Sequence, residues 1–201
     1  MSEEARYFVF IYPALGEIRD YLNLAVFALS PREKWPAHIT VAGPFSKRPS
    51  SRAEPKFNST VFSLGIWHFF NDGLNTVYLK VGMPDLKRYW LKPGFATNAV
   101  PHLSLYNGKD AGFSREIFNK LQPLNLQFSF PVKSIEVVNS SAQRLTDLRQ
   151  QINADCLKMT EGMQLDDIAL LSNSERLEIA VQALMACQSP SNKISNIFSL
   201  S

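Results

Sequence analysis

The sequence predicts an α+β fold, and three observations carry that expectation. Runs rich in aromatic and β-branched residues recur along the first two thirds of the chain, as strands require. Segments with apolar residues at helical spacing interrupt and follow them. With 45% hydrophobic and 11% aromatic residues in a chain of 201, there is enough apolar surface for one compact core.

The first strand is Arg6 to Pro13, a continuous apolar and aromatic run closed by proline. Leu15, Ile18, Leu22 and Val26 step at helical spacing and predict a helix over Leu15 to Leu29, ended by Pro31. Ala37 to Val41 reads as a second strand between Pro36 and Gly43-Pro44. Lys47 to Lys56, rich in Ser, Pro and Arg, reads as loop. Val61 to Phe70 and Leu74 to Val81 flank Asn71-Asp72-Gly73 and predict a hairpin.

A short helix is expected at Pro84 to Trp90, broken by Lys92-Pro93-Gly94. A strand follows at Pro101 to Tyr106 and a helix at Ser114 to Leu121, with Ile117, Phe118 and Leu121 inward. Leu126 to Val138 supplies two strand-like runs broken around Pro131. Beyond Asn139 the texture turns helical: Leu145, Leu148, Ile152, Cys156, Met159 and Met163 form one stripe, and Leu177, Val181 and Leu184 mark a helix over Ser174 to Cys187. The expected organisation is a body over residues 1–140 and a helical extension over 141–201, with a frayed polar tail from Ser189.

No apolar run approaches the roughly 18 residues of a membrane-spanning helix, and the acidic N-terminus differs from a basic secretory leader. Cys156 and Cys187 are the only cysteines, so neither a disulfide framework nor a thiolate metal site is expected. A reducing, cytoplasmic setting follows from these readings. The net charge is +3, and residues 1–140 hold 16 Lys+Arg against 11 Asp+Glu. Lys47, Arg48, Arg52 and Lys56 form the densest basic stretch, either a solvated loop or a steering patch for a phosphate-bearing ligand. A long nucleic acid would demand a broader basic face, so duplex DNA is not an expected partner.

Two of the three histidines sit in matching phrases, Pro36-Ala37-His38-Ile39-Thr40-Val41 and Pro101-His102-Leu103-Ser104-Leu105. Because side chains alternate across a strand, His38 shares a face with Thr40, and His102 with Ser104 and Tyr106. An imidazole with a hydroxyl two residues on can handle a proton while the hydroxyl donates to a phosphoryl oxygen. Two such units together supply a general base and a general acid, with no metal and no cofactor required. His68, in Ile66-Trp67-His68-Phe69-Phe70, has no hydroxyl at the corresponding place and reads as structural.

At these residues the chain resembles the 2H phosphoesterase superfamily, which includes the RNA 2′,3′-cyclic phosphodiesterases once called 2′-5′ RNA ligases. His38-Ile39-Thr40-Val41-Ala42-Gly43-Pro44-Phe45 resembles the family's first motif and His102-Leu103-Ser104-Leu105 its second. The resemblance covers roughly residues 6–140. It implies a bilobal fold with two antiparallel sheets around a central cleft, one motif from each lobe, and cleavage of a phosphodiester at a 2′ position. His38, Thr40, His102 and Ser104 are then the catalytic residues. The family's second motif commonly continues with Ala-Arg, whereas Tyr106-Asn107 stands here. That difference favours 2′-5′ oligoadenylates or cyclic oligonucleotides over RNA 2′,3′-cyclic ends.

Phe45 and Tyr106 are candidates to stack on a nucleobase, since every base has a π face. Trp35 beside Pro36, Tyr12 at the end of the first strand, and Lys109 after Asn107-Gly108 complete the candidate substrate-binding set. The expected partner is a nucleotide or short oligonucleotide. The C-terminal helices either pack on the body or bring two copies together as a homodimer. The alternative function is a binding module that holds a nucleotide or RNA end in the same cleft without turning it over.

Overall fold

The computed structural model describes residues 6–31, 35–50, 57–69, 73–82, 100–140, 160 and 162–189. The expected helix at 84–90, the stripe from Leu145 to Met159 and the tail beyond 189 lie outside the described residues. Six strands appear in chain order: β1 (Tyr7–Pro13), β2 (Ile39–Phe45), β3 (Phe57–Phe69), β4 (Leu74–Gly82), β5 (His102–Gly108) and β6 (Phe128–Asn139). Between and after them lie helices α1 (Glu17–Leu29), α2 (Ala111–Leu121), α3 (Leu165–Leu170) and α4 (Asn173–Gln188).

All strand neighbours are antiparallel, and the strands close into one sheet in the order β1-β2-β5-β4-β3-β6. The expectation of two separate sheets is therefore corrected. Two three-stranded halves, β6-β1-β2 and β3-β4-β5, are joined along both edges. One join is wide, running from Phe57↔Val132 to Val61↔Phe128. The other is narrow: β2 and β5 meet at Ile39↔Leu103.

One half is contiguous in sequence and the other is completed by the last strand. After β2 the chain crosses to lay β3 beside β4 in the other half, and after β5 it returns to lay β6 beside β1. The apolar run read as two strands around Pro131 is one strand that changes neighbour: residues up to Val132 pair with β3, and Val132 to Asn139 pair with β1.

Alternation separates the two faces of the sheet. Val9, Ile11, Ile39, Val77, Leu79 and Leu103 join one apolar cluster with the helices. Helices cannot fit inside a ring of six strands, so this helix-covered face is the outside. Residues Tyr21 to Leu29 of α1 are all buried, because the helix is enclosed by the sheet on one side and α4 on the other. Cys187 Sγ lies 3.9 Å from the Ile18 carbonyl, and the Arg176 guanidinium donates to the Ala28 carbonyl at 3.3 Å, so α4 runs antiparallel along α1. The Asp110 side chain caps α2 by accepting from the Phe113 N–H at 2.9 Å, and Ser172 with Glu175 forms a capping box on α4.

Candidate functional site

The narrow join between β2 and β5 sets the geometry of both motifs. Ile39 lies opposite Leu103, so one residue further each way Thr40 faces His102 and His38 faces Ser104. Directly opposed residues share a face. Ile39 and Leu103 belong to the outer core, which places all four motif side chains on the inner face. Each histidine stands opposite the other motif's hydroxyl, and His38 and His102 occupy one diagonal of the square, a relationship of about 7 to 8 Å, somewhat less between Cβ atoms.

Neighbouring strands extend this square into two rows. Thr40 pairs with Phe10 and Phe10 with Glu136, while on the other side His102 pairs with Lys80 and Lys80 with Ser63. In the second row Ser104 pairs with Tyr78 and Tyr78 with Gly65. His38, Thr40, Ser104 and Lys80 are half-buried and Glu136 is exposed, so solvent reaches this part of the inner face.

Both histidines are held the same way. His38 Nδ1 lies 2.7 Å from the Pro36 carbonyl, and His102 Nδ1 lies 2.7 Å from the Val100 carbonyl. A carbonyl can only accept, so each Nδ1 carries its proton, and in the neutral ring Nε2 is the basic nitrogen. Aromatic rings from the adjoining strands fix the ring planes. His38 stacks on Phe10 at 3.9 Å and meets Tyr12 edge-on at 6.2 Å. His102 meets Trp67 edge-on at 4.8 Å and Tyr78 at 5.3 Å. Trp67 and Tyr78 stack on each other at 3.9 Å.

These apolar walls penalise a charged imidazole. Burial lowers the pKa of His38 from 6.5 to about 4, with the Pro36 carbonyl opposing. Burial likewise lowers His102 to about 4, opposed by the Val100 carbonyl and reinforced by His38. Tyr12 is held as the neutral phenol, first by burial and then by the Glu136 carboxylate.

The other candidates divide. Tyr12 reaches the site directly, and Trp35 reaches it through Phe10, whose ring it meets edge-on at 5.6 Å. Tyr106 does not share the face of His102. The β4–β5 register shifts between Val77 and Tyr78, which leaves Leu105 as an extra residue and pairs Tyr106 with the buried Val77. Its ring packs edge-on against Phe113 at 5.4 Å, within the helix-covered core. Phe45 pairs with Tyr7 and packs on that same outer core. Lys109 follows the far end of β5 from His102, on the order of 20 Å along a strand of 7 residues. Lys47 and Arg48 are exposed, and Arg52 and Lys56 lie outside the described residues. His68 Nδ1 approaches Asn75 Oδ1 at 3.3 Å, away from both motifs.

Four residues join the site that no motif marks: Phe10, Trp67, Tyr78 and Lys80. The only trace of them in the sequence is alternation within β1, β3 and β4, because cross-strand register decides which neighbours they meet. Among the described residues no group of three or more His, Cys, Asp or Glu is placed to hold a metal ion, and no helix is long and apolar enough to cross a membrane. Comparison with known proteins finds no family model and no curated protein that matches the chain.

Proposed function

We propose that this protein is a phosphodiesterase of the 2H type that needs no metal and cleaves a 2′-linked or 2′,3′-cyclic phosphodiester in a nucleotide or short oligonucleotide. In this reading the two three-stranded halves are the two lobes of that fold. The favoured substrates are 2′-5′ oligoadenylates or cyclic oligonucleotides. The observation that carries the reading is the matched pair of imidazoles: each has its Nδ1 proton committed to a carbonyl two residues back, and each stands across from the other motif's hydroxyl.

The chemistry follows from that arrangement. A ribose hydroxyl or water gives its proton to the Nε2 of one neutral histidine as its oxygen bonds to phosphorus. The bond from phosphorus to the leaving oxygen breaks, and that oxygen takes a proton from the Nε2 of the other, protonated histidine. Thr40 and Ser104 donate to the nonbridging oxygens as charge builds on them. Neither ring has to change tautomer, because Nδ1 keeps its proton throughout. Both rings are neutral near pH 7 in the free protein, so the acid gains its proton as the anionic phosphodiester binds, since a nearby negative charge favours imidazolium.

The test is incubation of the protein, treated with excess EDTA, with 2′-5′, 3′-5′ and 2′,3′-cyclic substrates, followed by product analysis. Cleavage of a 2′ linkage in chelator is the expected result. Binding without turnover of any of the three would overturn the reading in favour of a nucleotide-binding module.

A further inference from the structure

The inner face is matched in its histidines but not in its charge. Reading across the first row, the order is Glu136, Phe10, Thr40, His102, Lys80, Ser63. Among residues whose side chains are described, Lys80 is the only cation on a strand and Glu136 the only carboxylate. They stand on opposite sides of the motif square, Lys80 in the half that carries His102 and Glu136 in the half that carries His38.

Lys80 is half-buried, and no described residue makes a hydrogen bond or ion pair with its ammonium. A half-buried lysine that faces other side chains costs desolvation when its ammonium has no partner. An anion beside His102 offsets that cost. The scissile phosphodiester itself is already served by Thr40, Ser104 and the two imidazoles.

We infer that Lys80 is a specificity-determining residue that binds a second phosphate of the substrate, one flanking the scissile phosphodiester on the side of His102. This deepens the phosphodiesterase reading and rests on it for the identity of the scissile group. Glu136 repels the same charge from the other side, so the pair fixes the direction in which a substrate lies across an otherwise matched site. The substrate class is therefore an oligonucleotide, or a nucleotide with an additional terminal phosphate, and not a lone cyclic mononucleotide.

The experiment compares three 2′-5′-linked diadenylates: one without terminal phosphate, one with a 5′-phosphate, and one with a phosphate at the opposite terminus. Binding is titrated to the His38→Ala protein, to suppress turnover, and to the same protein carrying Lys80→Ala, Lys80→Gln or Lys80→Arg. One phosphorylated dimer should bind about tenfold more tightly than the unphosphorylated one, as a charge-assisted contact would give. That preference should shrink with added salt, vanish in Lys80→Ala and Lys80→Gln, and survive in Lys80→Arg. Equal binding of all three dimers, no binding of any, or a preference that survives Lys80→Ala would overturn the assignment. If the preference behaves as expected but the wild-type protein cleaves none of the dimers, the phosphodiesterase reading falls and the phosphate site at Lys80 stands.

Discussion

Ile39 sits directly opposite Leu103, and through that contact β2 and β5 meet with their motifs head to head. Both side chains are wholly buried in the outer core, so the register is locked by packing, while on the reverse face His38 is half-buried and His102 buried. His38→Ala and His102→Ala should each lower turnover by at least about 100-fold, the scale of losing a general acid or base. Because both rings act in one transition state, the double variant should be scarcely slower than either single one. Kinetics on variants shown by circular dichroism to be folded check this, and near-wild-type turnover in either would sink the two-histidine mechanism.

The pH dependence should differ between kcat/KM and kcat. In the free protein both imidazoles titrate near pH 4, so the form with one neutral and one protonated ring is abundant only there. The kcat/KM profile should therefore peak in the acidic range and fall toward neutral pH. Bound phosphodiester stabilises the imidazolium, so the kcat optimum should lie at higher pH. Measuring both profiles in one buffer series decides the matter; a kcat/KM that climbs steadily to pH 10 contradicts it.

Stability carries the same signature with a definite sign. A histidine held near pKa 4 in the fold and near 6.5 when unfolded binds more protons in the unfolded chain between those values. Stability is then fully present above about pH 6.5 and lost as pH falls toward 4, by up to about 3 kcal/mol for each ring at about 1.4 kcal/mol per pKa unit. Urea unfolding of wild type and His38→Ala at pH 7 and pH 4.5 should show a smaller acid loss in the variant. Equal losses would mean that His38 is not the titrating group.

Gly65 supplies a structural test of the His102 side. The Tyr78 ring passes over Gly65 on its way to stack on Trp67, and a Cβ at Gly65 would collide with that ring. Gly65→Ala should displace Tyr78, cost about 1 to 3 kcal/mol as overpacking does, and lower kcat by loosening His102. Trp67 fluorescence should shift in the same variant. Unchanged fluorescence and kcat would show that the aromatic pair does not hold the imidazole.

How much of this was legible in the sequence depends on whether a feature is local. The hairpin of β3 and β4, the helices α1 and α2, and the His-x-hydroxyl spacing are written in neighbouring residues. Tyr106 was not, because strict alternation carries it onto the face of His102, whereas the extra residue Leu105 turns it toward Phe113 and the core. A register shift of one residue is invisible in a periodic pattern and reverses everything beyond it. Lys80 and Tyr78 were equally silent, since only the pairing of β4 with β5 brings them to His102 and Ser104. The closure of two expected sheets into one likewise rests on β6 serving both β3 and β1, which its sequence records only as a break near Pro131.

The return of β6 to the half that holds β1 bears on how the protein comes to be made. When the ribosome has released β1, α1 and β2, the first motif is complete as sequence, yet β1 still lacks the neighbour that β6 supplies, more than a hundred residues later in the chain. Pairings of such separation form late and slowly. Until then the nascent chain shows bare strand edges on β1 and β3, the kind of surface that recruits other chains. The two histidines can thus come into register only near the end of folding, and no partially made chain should display a working half of the site.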